Sequence, residues 1–168
     1  MSQPKVIYKT VRFRPSGAGS SQTVKPSLNS SDDIGTVLSI STSIEREEAV
    51  FEKPVSGKWV DYDAVNQRQR EITTVTVGEL SETFWELYRG ATFTLPGGTY
   101  TPGSTVTFKG WFEVILTDDS NTTLDTVDRW CKIDITSVEH PQTGYNQAVF
   151  TVRTLYSAVA TGTFANLA

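Results

Sequence analysis

The stretch 106–117 reads VTFKGWFEVILT and alternates large apolar side chains with polar ones. Successive side chains of a β-strand point to opposite faces. One face would therefore carry the even-numbered residues Val106, Phe108, Phe112, Val114 and Leu116. The odd-numbered face is mostly polar. This period of two predicts a strand with one face in a hydrophobic core and the other in water.

The two segments that follow show the same period. Residues 125–138 place Val127, Cys131, Ile133 and Ile135 on one side, after the polar turn segment 118–123. Residues 147–156 then place Ala148, Phe150, Val152 and Tyr156 on one side. We therefore predict a long hairpin followed by a third strand, all three with one wet face.

Further strands are predicted at 6–13, at 36–44 with Leu38, Ile40 and Ile44 inward, at 71–77 and, more weakly, at 59–65. A short helix is predicted at 81–89, because Ser81 is a good N-cap and Gly90 a good stop. About seven strands and one helix indicate a mainly β chain, a β-sandwich or barrel-like domain with one short α-helix packed on the sheet and long loops. Residues 1–168 are expected to form one domain.

Two segments contain few large apolar residues. The segment at about 15–35 is rich in Ser and Gly, and we expect it to be a mobile loop. The segment at about 158–168 is small and uncharged, and we expect it to be a C-terminal tail.

Charge is unevenly distributed along the chain. The net charge is −4, yet residues 1–31 carry five basic residues and no acid, so the remainder carries −9. A basic N-terminal segment on an acidic body is complementary between copies of the chain. The basic residues of this segment are therefore candidates for contacts between subunits: Lys5, Lys9, Arg12, Arg14 and Lys25. The alternative is that the segment is merely solvated.

The sequence contains no convincing catalytic or metal-binding pattern. Cys131 is the single cysteine and His140 the single histidine, and His140 precedes Pro141 in a turn segment. Neither a catalytic triad nor a protein zinc site fits this composition, and no glycine loop for phosphate is present. We expect no enzyme activity and no cofactor. The start of the sequence lacks the pattern of a signal peptide, and no apolar run reaches the length of a membrane span.

Trp111 and Trp130 fall on the polar faces of their strands by parity. Either they cover part of the core, because a bulge resets the parity, or they are anchors between subunits. Both alternatives stay open at this stage.

The segment 70–90, REITTVTVGELSETFWELYRG, resembles the tail tube (major tail) proteins of bacteriophages. In that family an alternating strand runs into an acidic-Leu-Ser/Thr cap, a short amphipathic helix and a glycine. The surrounding order of strands, long loop, strands, helix and long hairpins is also similar.

The resemblance implies a structural protein whose subunits form stacked hexameric rings, a conduit for DNA ejection in the virion tail. Its partners would be further copies of itself, the tape measure, tail terminator and baseplate or tip proteins, and DNA passing without specific contacts. It would be made in the bacterial host cytoplasm, with no membrane contact. The wet faces of the hairpin would line the lumen, where acidic residues repel DNA phosphates. The lumen-facing candidates are Glu113, Asp128, Lys132 and Asp134.

A ligand-binding or carbohydrate-binding β-sandwich, of the tail-fibre or cell-surface type, is the alternative function. It explains the strands and the tryptophans equally well. It does not explain the basic N-terminal segment or the segment 70–90.

Overall fold

A computed structural model describes residues 5–6, 8–17, 19–89, 107–159 and 162–164. The strands in this part of the chain are β1 (Tyr8–Pro15), β2 (Asp33–Val55), β3 (Lys58–Gly78), β4 (Thr107–Thr117), β5 (Thr123–Glu139), β6 (Gln147–Thr154) and β7 (Gly162–Phe164). A single 3₁₀ turn (Ser30–Asp32) precedes β2, and helix α1 (Glu82–Arg89) follows β3.

The strands form one antiparallel sheet that closes on itself. Its order is β4-β1-β2-β3-β6-β5, and a further pairing between β4 and β5 joins the two ends into a six-stranded barrel. Strand β7 pairs with residues 125–127 of β5. The prediction of a mainly β, barrel-like fold with one short helix is confirmed.

The hydrophobic core lies inside this barrel. Side chains from every barrel strand contribute, and Phe112, Cys131, Ile133, Ile135, Ala148, Phe150 and Val152 are buried as the alternation predicted. The remaining members of the core cluster are Val11, Phe13, Ile34, Val75, Val77 and Phe84. The period of two therefore selected the correct face of β4, β5 and β6.

Helix α1 closes one end of the barrel. The Ser81 hydroxyl accepts a hydrogen bond from the Phe84 N–H (3.2 Å) and donates one to the Asp33 carbonyl (2.6 Å), so the predicted N-cap also ties the helix to β2. Phe84 is buried and meets the ring of Phe150 edge-on, with centroids 5.5 Å apart. This contact packs the helix on the sheet.

Several details differ from the predictions. The segments 59–65 and 71–77 belong to one strand, β3, and the segment 36–44 continues to Val55. Leu38 is exposed because a bulge between Val37 and Ser39 displaces it from the alternation. Ile44 is exposed because β2 has already left the barrel there, and Tyr156 is exposed because β6 ends at Thr154. The predicted core residue Val106 lies outside the described residues.

Gly110 marks the closest approach of β4 to β1. A Cβ atom at this position would lie 2.2 Å from the Arg14 carbonyl oxygen and 2.9 Å from Cζ of Phe13. We expect Gly110→Ala to lower the free energy of unfolding by about 1–3 kcal/mol, because the backbone of β1 cannot yield without breaking the barrel seam. Urea denaturation measures this change.

Gly17→Ala is the matched control, because a Cβ at Gly17 meets nothing within 4 Å. Equal stability of the two variants would contradict the close approach of β1 and β4.

Candidate assembly surfaces

Among the described residues, the outer part of the β2–β3 hairpin is the most exposed element. Strand β3 pairs with β6 only from Ile72 to Gly78, and β2 pairs with β1 only at Asp33 and Thr36. Residues 44–55 and 58–71, here called the ribbon, therefore pair only with each other within the described chain. The turn Ser56–Gly57 has positive φ at both residues, which matches the twist of a two-residue hairpin.

The ribbon displays large apolar side chains to solvent. Trp59 and Tyr62 are each 70% exposed. The other exposed apolar residues of the ribbon are Ile44, Val50, Phe51, Val55, Val60 and Val65. Contiguous exposed apolar side chains indicate an interaction surface, and a two-stranded ribbon alone is marginally stable in water.

The two faces of the ribbon differ in charge. On one face Arg68 pairs with Glu47 at 3.4 Å, and the Lys53 ammonium lies 4.9 Å from the centre of the Tyr62 ring. On the other face Trp59 stands opposite Pro54, and the next pair along is Glu52 opposite Asp61. Two directly opposed carboxylates repel each other unless a cation bridges them.

The edges of the long strands are also unpaired. Beyond Thr36, the outer edge of β2 has no strand partner among the described residues, and the same holds for β3 before Ile72. Such edges present rows of unpaired backbone N–H and C=O groups, which pair readily with another chain.

The second surface lies on the outside of the β4–β5 hairpin and is covered by residues 19–32, here called the arm. Trp111 donates a hydrogen bond from Nε1 to the Ser21 carbonyl (2.8 Å). Gln22 donates from Nε2 to the Tyr156 carbonyl (2.6 Å). Arg14 binds the Asp32 carboxylate through two nitrogens, at 2.7 and 3.0 Å. The arm thus has defined contacts along its length, and the mobility expected of the segment at about 15–35 stays a prediction.

A cluster of buried charge lies beneath the arm. Glu113 and Asp128 stand directly opposite each other on β4 and β5, and they are only 8% and 2% exposed. The Lys25 ammonium from the arm binds Oδ2 of Asp128, and Arg12 from β1 binds Glu113 at 3.3 Å. Each of the two opposed acids therefore has one cation beside it, and Arg12 also binds Asp33 at 2.8 Å.

Burial raises the pKa of Glu113 to about 7, and the hydrogen bond and charge of Asp128 add to this, whereas Arg12 and Lys25 oppose it. Oδ1 of Asp128 is buried and finds no hydrogen-bond partner among the described groups. A protonated Glu113 is a hydrogen-bond donor to the Asp128 carboxylate directly opposite it.

The structure places the predicted site residues as follows. Glu113 and Asp128 would reach a lumen only after the arm moves away. Lys132 and Asp134 lie on the outer face of β5, 3.5 Å apart, with side chains 38% and 36% exposed. The prediction that they face a lumen is compatible with this exposure but is not tested by it.

The basic residues predicted for contacts between copies divide into two groups. Arg12, Arg14 and Lys25 bind acids of their own subunit. Lys5 and Lys9 are exposed, and Lys9 lies at the open end of the barrel.

Trp111 and Trp130 are interior residues of the subunit. Trp111 is fully buried and Trp130 almost so, and their ring centroids are 5.9 Å apart. A contact with another copy would first require the arm to leave.

The described residues have few of the features that metal sites and catalytic residues require. No group of three or more His, Cys, Asp or Glu residues there could hold a metal ion. His140 stacks on Trp85 and hydrogen bonds to Asn146 (3.0 Å), and burial raises the pKa of the Cys131 thiol. Among the described helices, none has the length and apolarity to cross a membrane.

Sequence reasoning missed the ribbon. The available signal was charge: Glu45 and Glu47 lie opposite Arg70 and Arg68 in the register. Complementary charges on both sides of a Ser-Gly turn are typical of a hairpin.

Comparison with known proteins gives a fold and no family. No protein-family model matches the sequence, and no curated protein matches it. Among solved structures, a chain matches with a TM-score of 0.50 and 14% sequence identity, over 96% of this chain and 92% of that chain. It belongs to the cryo-EM structure of an extracellular contractile injection system, the PVC sheath-tube complex in its extended state. The likeness spans almost the whole of both chains, and at this identity it shows a shared fold.

The raised pKa of Glu113 predicts a pH dependence of stability. The folded state holds the proton up to about pH 7, whereas the unfolded state releases it near the ordinary value of 4.5. The free energy of unfolding should therefore decrease as the pH rises from about 4.5 to 7. Urea denaturation at several pH values should show this decrease in the wild type and a flatter profile for Glu113→Gln, which is always neutral.

Glu139→Gln is the control, because Glu139 is an exposed acid on the same hairpin. A Glu113→Gln profile as steep as that of the wild type would show that Glu113 does not retain the proton.

Proposed function

We propose that this protein is the subunit of a tail-type tube, which assembles with copies of itself into closed, stacked rings. The rings are hexameric and enclose a conduit through which phage DNA passes. The protein is a structural component of the virion tail and is made in the cytoplasm of the bacterial host. It meets the tape measure protein inside the tube and the terminator and baseplate or tip proteins at its ends.

The observation that carries this proposal is the pair of unpaired strand edges along β2 and β3. Strands of 23 and 21 residues extend far beyond the eight-residue strands beside them. Pairing of these edges with the next copy satisfies the backbone groups and covers the exposed apolar side chains of the ribbon. The shared fold with a chain of a sheath-tube complex supports the same role.

The polar outer face of β5 and β6 is the candidate lumen wall. Lys132 lies opposite Arg153, and Asp134 lies opposite Thr151. A wet face of mixed charge lets DNA slide, because no continuous basic track holds the phosphates.

Shortening the ribbon tests the assembly role. We expect replacement of residues 46–69 by an Asn-Gly turn, which joins the opposed residues Glu45 and Arg70, to leave the barrel folded, because the removed residues contribute nothing to the core. Negative-stain microscopy at high protein concentration should show rings or tubes for the wild type and none for the shortened chain.

The control shortens the exposed turn at residues 141–145, which should leave assembly unchanged. Rings formed by the shortened ribbon, or a wild type that stays monomeric at high concentration and low salt, would contradict the proposal.

Asp134→Lys tests the lumen wall. The substitution changes the charge by two per subunit and creates a basic track with Lys132 and Arg153. We expect an unchanged melting temperature, because an exposed ion pair contributes less than about 1 kcal/mol, together with tighter retention of DNA and reduced infectivity.

Asp119→Lys, in the exposed β4–β5 turn, is the control. Normal assembly and normal infectivity of Asp134→Lys particles would remove Asp134 from the lumen.

A ligand-binding or carbohydrate-binding module is the second candidate function. The exposed rings of Trp59 and Tyr62 favour it, because sugars stack on exposed aromatic faces. A protein that stays monomeric and whose tryptophan fluorescence responds to glycans would support this alternative.

A further inference from the structure

The barrel has an unfilled cavity at the end opposite α1, here called the mouth. Its volume is about 360 Å³, which is within the usual range for ligand pockets. Its apolar walls are formed by Ile40, Phe112, Val114, Leu116, Val127 and Val152. Small barrels normally fill such space with their own side chains, so this end of the core is incomplete in the single chain.

The rim of the mouth carries charged side chains. Glu71 accepts hydrogen bonds from Arg129 (3.3 Å) and Thr154 (2.9 Å). Lys9, by contrast, is exposed and forms no ion pair within the described part of the chain. An occupant of the mouth therefore needs an apolar body with an anionic group beside it.

The ribbon tip, residues 51–62, has both properties on one face. The Trp59 side chain is 70% exposed. One strand pair further along the same face, Glu52 and Asp61 oppose each other without a cation among the described residues. In the described part of the chain, an aromatic anchor therefore lies next to an acid pair without a counter-cation, and a cavity lies next to a lysine without a counter-anion.

The ribbon tip cannot reach the mouth of its own subunit. Strand β2 leaves the barrel after Thr42, and its pairing with β3 continues to Val55 opposite Lys58. Twelve residues of strand carry Pro54 about 40 Å from the mouth. A hydrogen-bonded pair of strands does not fold back on itself over that distance, so the occupant comes from another molecule.

We propose that the Trp59 side chain at the ribbon tip docks in the mouth of a second copy of this chain, with Glu52 and Asp61 placed against Lys9 of that copy. The buried Asp128, directly opposite Glu113, likewise binds a lysine from another segment of the chain. The proposal rests on the proposed function and specifies one of its contacts. The two patches differ, so the contact is head-to-tail and repeats from copy to copy.

Two variants separate the two halves of the contact. Trp59→Ala removes the anchor and keeps the mouth, and Val127→Trp fills the mouth and keeps the anchor. Sedimentation velocity should show each variant alone defective in tip–mouth association, by at least about thirtyfold in Kd for an aromatic anchor. An equimolar mixture should form 1:1 complexes and nothing larger through this contact, because one good tip and one good mouth remain. Acrylamide quenching should show Trp59 protected in the wild-type assembly.

Tyr62→Ala is the matched control, because Tyr62 is equally exposed but belongs to the opposite face of the ribbon. It should associate like the wild type. Lys9→Glu provides a test that does not alter the core, and it should weaken association. Association should be restored when the Lys9→Glu variant is mixed with a second variant that carries Asp61→Lys at its ribbon tip.

The outcomes distinguish this contact from the tube itself. Rings or tubes of Trp59→Ala with wild-type stability would overturn the docking and leave the proposed function standing. A 1:1 complex in the mixture, with no tubes from the wild type, would keep the docking and overturn the proposed function. A mixture that forms no complex, with both variants folded by circular dichroism, would also overturn the docking.

Discussion

The difference in length between neighbouring strands shapes this molecule more than any other feature. Strands β2 and β3 have 23 and 21 residues, and each has an eight-residue strand on its outer side. Backbone groups of a sheet need partners, and the short strands supply them only near the barrel. The projecting ribbon and the unpaired edges both follow from this mismatch. The barrel strands are paired with each other, whereas the outer parts of β2 and β3 keep unpaired edges.

The sequence predicted the barrel better than it predicted the surfaces. Alternation selected the buried faces of β4 to β6, because a one-residue error would have reversed every side chain. The helix followed from Ser81, whose hydroxyl performs the expected capping. The ribbon was missed, because exposed strands lack the contrast between wet and buried faces on which the alternation depends. The prediction that Leu38 points inward was wrong for a related reason, because a pattern of polarity does not reveal a bulge.

The surroundings of the candidate site residues were harder to predict, because the alternation along a strand assigns a side chain to a face of the sheet but does not show which segment covers that face. Glu113 and Asp128 were placed on the outer face of the hairpin, which is where they are. Their burial comes from an arm more than 80 residues away in sequence, and the contact that decides it is the one from Lys25. Long-range ion pairs of this kind leave no local signal. The same limit applies to Lys9, whose importance depends on the open barrel end beside it.

The isolated character of the ribbon has a kinetic consequence. A two-stranded segment outside the core opens at little cost in free energy, so its ordering entropy is lost only when a partner holds it. In the proposed tube, the first encounter between copies bears that loss with few contacts in return, whereas a copy that joins an existing ring gains contacts on several sides. Growth of the proposed tube is therefore favoured over its initiation, and polymerisation at high protein concentration begins after a lag phase.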